Sequence, residues 1–247
     1  MDDLAFAHSL ADDADEIALS RFRALDLRVE TKPDLTPVSE ADRAVEARVR
    51  ARVAAERPGE RVVGEEEGAG DGTGAAWIVD PIDATKNYVR GIPVWGTLIA
   101  LEDRVAVVSA PALGRRWWAA RDAGAWTRDA DGERRLSVSR VSELDEAVVT
   151  FTSLAGWGAG FHRLAARAWA ARGYGDFWQY MLLAEGAVDA CVENVAAVWD
   201  LAAPKLVVEE AGGRFTDLDG RDTAAGGSAA ATNGLLHDAV LGALSGS

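Results

Sequence analysis

The chain has 247 residues, of which 49% are hydrophobic and 27% are charged, and these proportions are typical of a globular protein. No apolar run reaches the roughly 18 residues that a membrane-spanning helix requires, so we expect no membrane partner. Forty acidic residues outnumber 26 basic ones, and the resulting net charge of −14 repels the phosphate backbone of DNA or RNA. Composition therefore excludes membrane proteins and disfavours nucleic acid as a partner.

The cellular compartment is predicted from the start of the chain and from its cysteine content. The segment Met1–Leu4 is acidic, whereas a signal peptide needs a basic start and a longer apolar stretch. Cys191 is the single cysteine and cannot form an internal disulfide, which agrees with a reducing compartment. We therefore expect a cytoplasmic protein.

Two helices are predicted at the start of the chain. Apolar residues recur at helical spacing over residues 3–25, with acidic residues on the other faces. Ser39 has the character of an N-cap for a second helix that ends near Arg57. Pro33 and Pro37 interrupt the pattern between them, so the segment Asp34–Ser39 is expected to be a loop.

Strand patterns dominate the middle of the chain. A glycine-rich loop to Gly74 is expected between the first two of them. Charged or glycine-containing turns separate most of the later candidates, which favours an antiparallel sheet. The predicted strands cover residues 61–63, 77–79, 94–101, 104–110, 115–119, 124–128 and 147–151.

Helices and strands alternate from about residue 158 onward. The predicted helices cover residues 161–172, 178–186 and 201–211, with a strand at 188–192. We therefore expect an α+β protein with an N-terminal half over residues 1–145, which contains the antiparallel sheet, and an α/β C-terminal half over residues 146–247. No linker rich in proline, glycine or serine separates the halves, so they are expected to share an interface.

The densest group of candidate functional residues follows the strand at 77–79. Asp80 and Asp83 flank Pro81, which stops regular strand pairing, and a helix is expected to begin near Ala84. Two carboxylates at a strand end can bridge divalent cations, and the N–H groups of the following helix can bind a phosphate. The alternative is that Asp83 only caps this helix.

Two other acidic groups support the same site or have simpler explanations. Glu65 follows the strand at 61–63, so its carboxylate can point to the sheet edge where Asp80 lies; the alternative is a solvated run of glutamates. Asp200 opens a predicted helix a few residues after Glu193, and the alternative is a simple N-cap.

In order along the chain, these motifs resemble the inositol monophosphatase family of Mg²⁺-dependent, lithium-sensitive phosphatases. The motifs are Asp42, Gly64–Glu66, Trp77–Thr85, Trp199–Asp200 and Glu209–Gly213. The segments Lys86–Tyr88, Arg90–Trp95 and Tyr174–Trp178 resemble the histidinol-phosphate phosphatase branch of that family. The resemblance implies a layered α/β/α/β/α sandwich and a homodimer.

The resemblance also implies a set of metal ligands and catalytic residues. Glu65, Asp80 and the backbone carbonyl of Ile82 would hold one Mg²⁺, and Asp80, Asp83 and Asp200 would hold a second. A third, looser Mg²⁺ would lean on Glu65, which the resemblance also makes a catalytic residue. Most of these ligands fall in the N-terminal half, and Asp200 falls in the C-terminal half.

The resemblance also implies how water and phosphate are held. Thr85, oriented by Asp42, would position and deprotonate the attacking water. The phosphate would be held by Asp83, Ala84 and Thr85.

The leaving group is expected to contact Asp176, Glu193 and Asp200, whose carboxylates suit a substrate with a cationic end such as histidinol phosphate. For Asp176, a helix N-cap is the alternative. Two positions depart from the family: Ala84 replaces the usual glycine, and Val195 stands where the histidinol branch tends to carry an acidic residue.

We therefore expect a Mg²⁺-dependent phosphomonoester hydrolase that acts on histidinol phosphate in histidine biosynthesis. The alternative substrates are an inositol, sugar or nucleoside monophosphate of a specialised pathway, because Ala84 and Val195 depart from the family pattern. A non-catalytic regulatory relative is the remaining alternative, and Ala84 is its only support.

Overall fold

The computed structural model describes residues 1–33 and 35–245, and this part of the chain contains seven α-helices. None of the helices in the described residues combines the length and apolarity needed to cross a lipid bilayer. The helices are α1 (Asp3–Arg21), α2 (Glu40–Glu56), α3 (Thr85–Val89), α4 (Ala159–Arg167), α5 (Asp176–Ala184), α6 (Val198–Glu210) and α7 (His237–Ser245).

Strands of the first half form a two-stranded ribbon and an eight-stranded sheet. The ribbon consists of β1 (Val29–Thr31) and β2 (Pro37–Ser39). The strands of the large sheet are β3 (Arg61–Gly64), β4 (Gly68–Ala69), β5 (Ala76–Asp83), β6 (Gly96–Leu101), β7 (Val105–Ala110), β8 (Arg115–Ala120), β9 (Gly124–Asp129) and β10 (Gly132–Arg135). Their order is β10-β9-β8-β7-β6-β5-β3-β4, and only the β3–β5 pair is parallel among these described strands.

A second sheet of five strands follows in the C-terminal half. Its strands are β11 (Val148–Phe151), β12 (Ala170–Arg172), β13 (Ala190–Glu193), β14 (Arg214–Thr216) and β15 (Ala229–Thr232). They are arranged in the order β12-β11-β13-β15-β14. Strand β11 is parallel to both of its neighbours, and β15 is antiparallel to β13 and β14.

The helices divide the molecule into five layers. Helices α1 and α2 cover one face of the eight-stranded sheet, α5 and α6 lie between the two sheets, and α4 and α7 cover the outer face of the second sheet. Every residue of β6 and β7 is buried, because helices cover both faces of these central strands. The expected α+β class and α/β/α/β/α layering are confirmed.

One apolar core joins the two predicted halves. It includes Leu98 and Trp117 of the first sheet, Leu206 of α6, and Phe215 and Ala231 of the second sheet. Side chains from both sheets therefore pack on the middle helical layer, which holds the sheet edges in a constant relative position.

Three local predictions in the first half were wrong. The first helix ends at Arg21 rather than at residue 25, because Phe22 leaves the helical conformation and Arg23 has a φ of 62°. The expected loop at Asp34–Ser39 contains β2, which pairs with β1, and Asp34 lies outside the described residues. The glycine-rich segment also contains β4, which pairs with β3. Such short strands lack the apolar alternation on which the prediction depends.

Two predictions in the second half were wrong for a different reason. Strand β11 belongs to the second sheet rather than to the antiparallel one. The helix expected over residues 161–172 ends at Arg167, and Ala170–Arg172 forms β12. Alanine and arginine favour a helix locally, but pairing with β11 overrides this preference. The prediction also missed β14 and β15 in this half and β10 in the first half, whose sequences are short, rich in alanine or charged.

Candidate active site

Three aspartates form a group at the end of β5. Oxygen atoms of Asp80, Asp83 and Asp200 all lie within 4.8 Å of one another. Asp80 and Asp83 are buried, with 2% and 7% of their surface exposed. Asp200 joins them from the first turn of α6.

A bulge in β5 explains how Asp80 and Asp83 reach the same place. Residues three apart in a regular strand face opposite sides of the sheet. Here Asp80 pairs with Leu98 and Asp83 pairs with Gly96, so β5 contains one more residue than β6 over this stretch. The extra residue brings both carboxylates to one side. The hydroxyl of Thr97 donates to the carbonyl of Pro81 at 2.8 Å and stabilises the bulge.

Backbone N–H groups fix one oxygen of each aspartate. Ile82 donates to Asp80 Oδ1 at 3.0 Å, and Phe177 donates to Asp83 Oδ2 at 2.6 Å. Ala197 donates to Asp200 Oδ2 at 2.7 Å in a capping arrangement. Asp83 is therefore not a cap of α3, and the N-cap of α6 is Ala197 rather than Asp200.

The negative charge of this group is only weakly offset, since Lys32 lowers the pKa of Asp200 but forms its ion pair with Glu65. Burial raises the pKa of Asp80, and the carboxylates of Glu65 and Asp83 raise it further. Burial also raises the pKa of Asp83 and brings that of Asp200 to about 6. Among the described residues, no lysine or arginine forms an ion pair with the three aspartates. A close set of anionic oxygen ligands suits a hard divalent cation such as Mg²⁺.

Glu65 lies in the same cleft but outside this group. Its Oε1 accepts a hydrogen bond from Lys32 Nζ at 2.8 Å, and Glu66 Oε1 accepts another from Lys32 at 2.6 Å. Lys32 was missed by the sequence analysis, because the two partners are more than 30 residues away along the chain. A role for Glu65 as a metal ligand stays a prediction.

Thr85 and Asp42 lie side by side behind the aspartates. Thr85 Oγ1 is 3.4 Å from Asp42 Oδ1 and 3.0 Å from the carbonyl oxygen of Ile82. The other oxygen of Asp42 accepts hydrogen bonds from the N–H and the hydroxyl of Ser39 at 2.9 and 2.6 Å. Burial raises the pKa of Asp42. The capping box of α2 thus orients Asp42 toward Thr85.

Ala84 joins β5 to α3 in a left-handed conformation. Its φ is 63° and its ψ is 45°. This region favours glycine, because the Cβ of other residues crowds the backbone there. Glycine would therefore suit this position, and alanine is accommodated there with strain.

Glu193 and Asp176 also line the cleft. The hydroxyl of Tyr180 donates to Glu193 Oε2 at 2.7 Å, and burial raises the pKa of Glu193 to about 7. The N-cap of α5 is Gly175, so the alternative role of Asp176 as an N-cap is wrong. Asp176 is the first residue of the helix, and its N–H donates to Thr152 Oγ1 at 3.2 Å.

Nearly all of the predicted site residues face one cleft with a volume of about 340 Å³. Asp42 is the exception, since it is buried behind Thr85. The predicted residues that line the cleft are Glu65, Asp80, Ile82, Asp83, Ala84, Thr85, Asp176, Glu193 and Asp200.

Glu46 is a further residue that the sequence analysis missed. This buried carboxylate accepts hydrogen bonds from the N–H groups of Glu66 and Glu67 at 2.7 and 3.0 Å, and it pairs with Arg50. A Cβ on Gly64 would collide with it, so glycine is required there. Glu46 thus holds the loop that carries Glu65. An acidic residue on the buried face of α2, four positions after Asp42, is the signal that could have revealed it.

Comparisons with known proteins agree with this geometry. A sequence model of the inositol monophosphatase family matches residues 2–247. The chain is 58% identical to a histidinol-phosphatase of Mycobacterium tuberculosis, with 97% of this chain and 96% of the relative covered. It is 53% identical to a histidinol-phosphatase of Streptomyces coelicolor, with 99% and 97% covered.

Solved structures of this family have the same fold as this chain. The fold matches the IMPase of Thermotoga maritima with a TM-score of 0.87 and 29% identity, over 100% of this chain and 98% of the other. The chain belongs to the inositol monophosphatase family.

The charge of the aspartate group predicts that removing one carboxylate raises the stability of the metal-free protein and weakens metal binding. In metal-free buffer, Asp80→Asn should raise the melting temperature, because it removes a buried charge that its neighbours repel. For a chain of this size, each kcal/mol relieved corresponds to about 2–4 °C. Mg²⁺ should then stabilise the wild type and not the variant.

Differential scanning calorimetry with EDTA and with Mg²⁺ measures both effects. Asp71→Asn, in an exposed loop, is the matched control and should behave like the wild type. A metal-free Asp80→Asn protein that melts below the wild type would contradict the prediction.

Ala84→Gly tests the strain at the start of α3. The change should stabilise the protein by about 0.5–1 kcal/mol, because relief of the left-handed strain exceeds the entropy cost of glycine. Turnover should be kept or raised, since the N–H group is unchanged. Thermal denaturation and phosphate-release assays measure the two effects. Ala76→Gly, within strand β5, is the control and should destabilise; a large loss of turnover in Ala84→Gly would show that the methyl group is needed.

Proposed function

We propose that this protein is a Mg²⁺-dependent phosphomonoester hydrolase whose substrate is histidinol phosphate. The observation that carries the proposal is the group of Asp80, Asp83 and Asp200 beside the Thr85–Asp42 pair in one cleft. The two histidinol-phosphatases that are more than half identical to this chain support the choice of substrate. Composition and family resemblance support a cytoplasmic homodimer in histidine biosynthesis.

The carboxylates of the cleft would hold two to three Mg²⁺ ions. Asp80, Asp83 and Asp200 fit one ion, and Glu65, Asp80 and the carbonyl of Ile82 are proposed for another. To hold an ion, Glu65 would have to give up its bond to Lys32. When bound, Mg²⁺ supplies positive charge that offsets the repulsion between the phosphate group and an incoming hydroxide, and it makes water more acidic.

The Thr85–Asp42 pair is proposed to hold and deprotonate the attacking water. Asp42 Oδ2 is occupied by Ser39, so Oδ1 is the atom that accepts the hydroxyl proton of Thr85. Thr85 Oγ1 then presents a lone pair to the water and passes the proton toward Asp42. The N–H groups of Ala84 and Thr85, together with Asp83, are proposed to border the phosphate.

The leaving group is proposed to lie against Glu193 and Asp176. Tyr180 holds Glu193 in place, and both carboxylates line the cleft near the aspartate group. A carboxylate binds an ammonium group more strongly than a neutral hydroxyl, since the hydrogen bond is charge-assisted. This supports an amino alcohol such as histidinol as the leaving group.

The proposed activity is tested by phosphate release from a panel of phosphomonoesters. With Mg²⁺, histidinol phosphate should exceed inositol 1-phosphate, fructose 1,6-bisphosphate and nucleoside monophosphates by at least about tenfold in kcat/KM, a difference of roughly 1.4 kcal/mol. EDTA should abolish turnover. Thr85→Val and Asp80→Asn should each lower kcat by at least about a hundredfold with the fold intact.

The outcomes of the panel separate the alternatives. A preference for an inositol, sugar or nucleoside phosphate would contradict the proposed substrate but support the proposed phosphatase activity. Absence of turnover with every substrate would favour a regulatory relative.

The raised pKa of Glu193 predicts a pH-dependent preference for cationic leaving groups. Because the pKa of Glu193 is about 7, its carboxyl is charged above that pH and neutral below it. The ratio of kcat/KM for histidinol phosphate to that for glycerol 2-phosphate should therefore fall as the pH decreases from about 8 to about 6. In Glu193→Gln the ratio should be low at every pH.

Steady-state rates with both substrates across this range measure the ratio, in which phosphate titration largely cancels. The imidazole of histidinol also titrates in this range, with a pKa of about 6.5, and the Glu193→Gln series separates its effect from that of Glu193. Glu143→Gln, on an exposed segment, is the matched control. A ratio that stays constant with pH in the wild type would exclude Glu193 as the group that binds the amine.

A further inference from the structure

A second, smaller pocket adjoins the active-site cleft. It has a volume of about 230 Å³ and shares Thr152, Glu193 and Val195 with the cleft. Its other lining residues are Ser153, Ala155, Trp157 and Asn194. Because these three residues line both spaces, the side pocket lies directly beside the cleft, and a molecule bound in the cleft by its phosphate would reach it by extending past Glu193.

Hydrogen bonds and ring stacking shape the outer wall of the side pocket. Trp157 Nε1 donates to the carbonyl of Ser153 at 2.9 Å, and the indole stacks on Phe161 with ring centroids 4.7 Å apart and an interplanar angle of 19°. Asn194 Nδ2 donates to the carbonyl of Ala155 at 3.0 Å. These contacts hold the loop at residues 153–157 in one conformation.

Glycine is required within this loop. Gly156 has a φ of 79°, and a Cβ there would lie 2.7 Å from Asn194 Nδ2. The close approach of Asn194 to the loop backbone therefore depends on the absence of a side chain at residue 156.

The chemistry of the side pocket changes from its mouth to its far wall. Glu193 is the only charged residue among those that line it, and it lies on the border with the cleft. Trp157, Ala155 and Val195 contribute apolar surface, and Val195 is 79% exposed. Such a pocket favours an uncharged flat group that is attached to a cationic one. The volume exceeds the roughly 30 Å³ share of one water several times, so a five-membered ring fits.

We propose that the side pocket binds the heteroaromatic ring of the leaving group and that Trp157 is a specificity-determining residue. This inference rests on the proposed function, because it assigns a place to the imidazole of histidinol phosphate. The ammonium group lies at Glu193, and the ring lies between Trp157 and Val195. Val195 makes this wall apolar, which suits a neutral ring.

The test compares histidinol phosphate with phosphoethanolamine, which carries an amine but no ring. Trp157→Ala should lower kcat/KM for histidinol phosphate about tenfold, since the ring loses its aromatic wall, and should change that for phosphoethanolamine less than about twofold. Trp157→Phe should retain most of the activity with histidinol phosphate. Trp169→Ala, at a tryptophan that is 72% exposed and outside both spaces, is the matched control.

A second variant fills the pocket without removing a packed side chain. Ala155→Phe, on the exposed loop, should exclude the ring and reproduce the selective loss even if Trp157→Ala fails to fold. Equal losses with both substrates, or no loss with histidinol phosphate in either variant, would overturn the inference. A wild type that is active on another phosphomonoester but not on histidinol phosphate would instead contradict the proposed function.

Discussion

Two aspartates three residues apart in a regular strand cannot face the same side of a sheet, and the candidate active site depends on the bulge that removes this constraint. The extra residue between Asp80 and Asp83 brings both carboxylates to one side of β5. Proline suits the position, because Pro81 has no N–H group to leave unpaired where pairing with β6 is interrupted. The bonds from Ile82 to Asp80 and from Thr97 to Pro81 then stabilise the distorted segment.

The bulge alone does not complete the aspartate group, which also depends on the middle helical layer. Phe177 at the start of α5 donates its N–H to Asp83, and Asp200 at the start of α6 completes the group. Both helices pack between the two sheets in the largest apolar core. Burial of the mutually repelling carboxylates costs stability, and the apolar core offsets this cost. A divalent cation bound by this group would relieve the same repulsion.

Side chains of different chemistry line different parts of the cleft and of the side pocket. The aspartate group and Thr85 line the cleft, Glu193 lines both the cleft and the side pocket, and Trp157 lines the side pocket. Buried polar contacts hold each part: Ser39 for Asp42, Glu46 for the loop of Glu65, and Tyr180 for Glu193. Residues that touch no substrate thus set the positions of those proposed to do so.

The sequence by itself determined the features that depend on local chemistry. The N-cap at Ser39, the buried strand before Asp80, and each single motif that identifies the family are contained in short segments. So are the bounds of α2, which differ from prediction by a single residue at its C-terminal end. Local hydrogen bonding and the spacing of apolar residues decide these features, and both can be seen in a window of a few residues.

Only the tertiary structure decided which distant groups meet. The pairing of Lys32 with Glu65, the support from Glu46, and the side pocket between Trp157 and Val195 join segments that are 20 to 38 residues apart. Tertiary structure also decides the conformation of Ala170–Arg172. Its alanines favour a helix, but pairing with β11 makes the segment a strand. A segment's own propensity differs between conformations by less than about 1 kcal/mol per residue, so long-range pairing and burial determine the outcome.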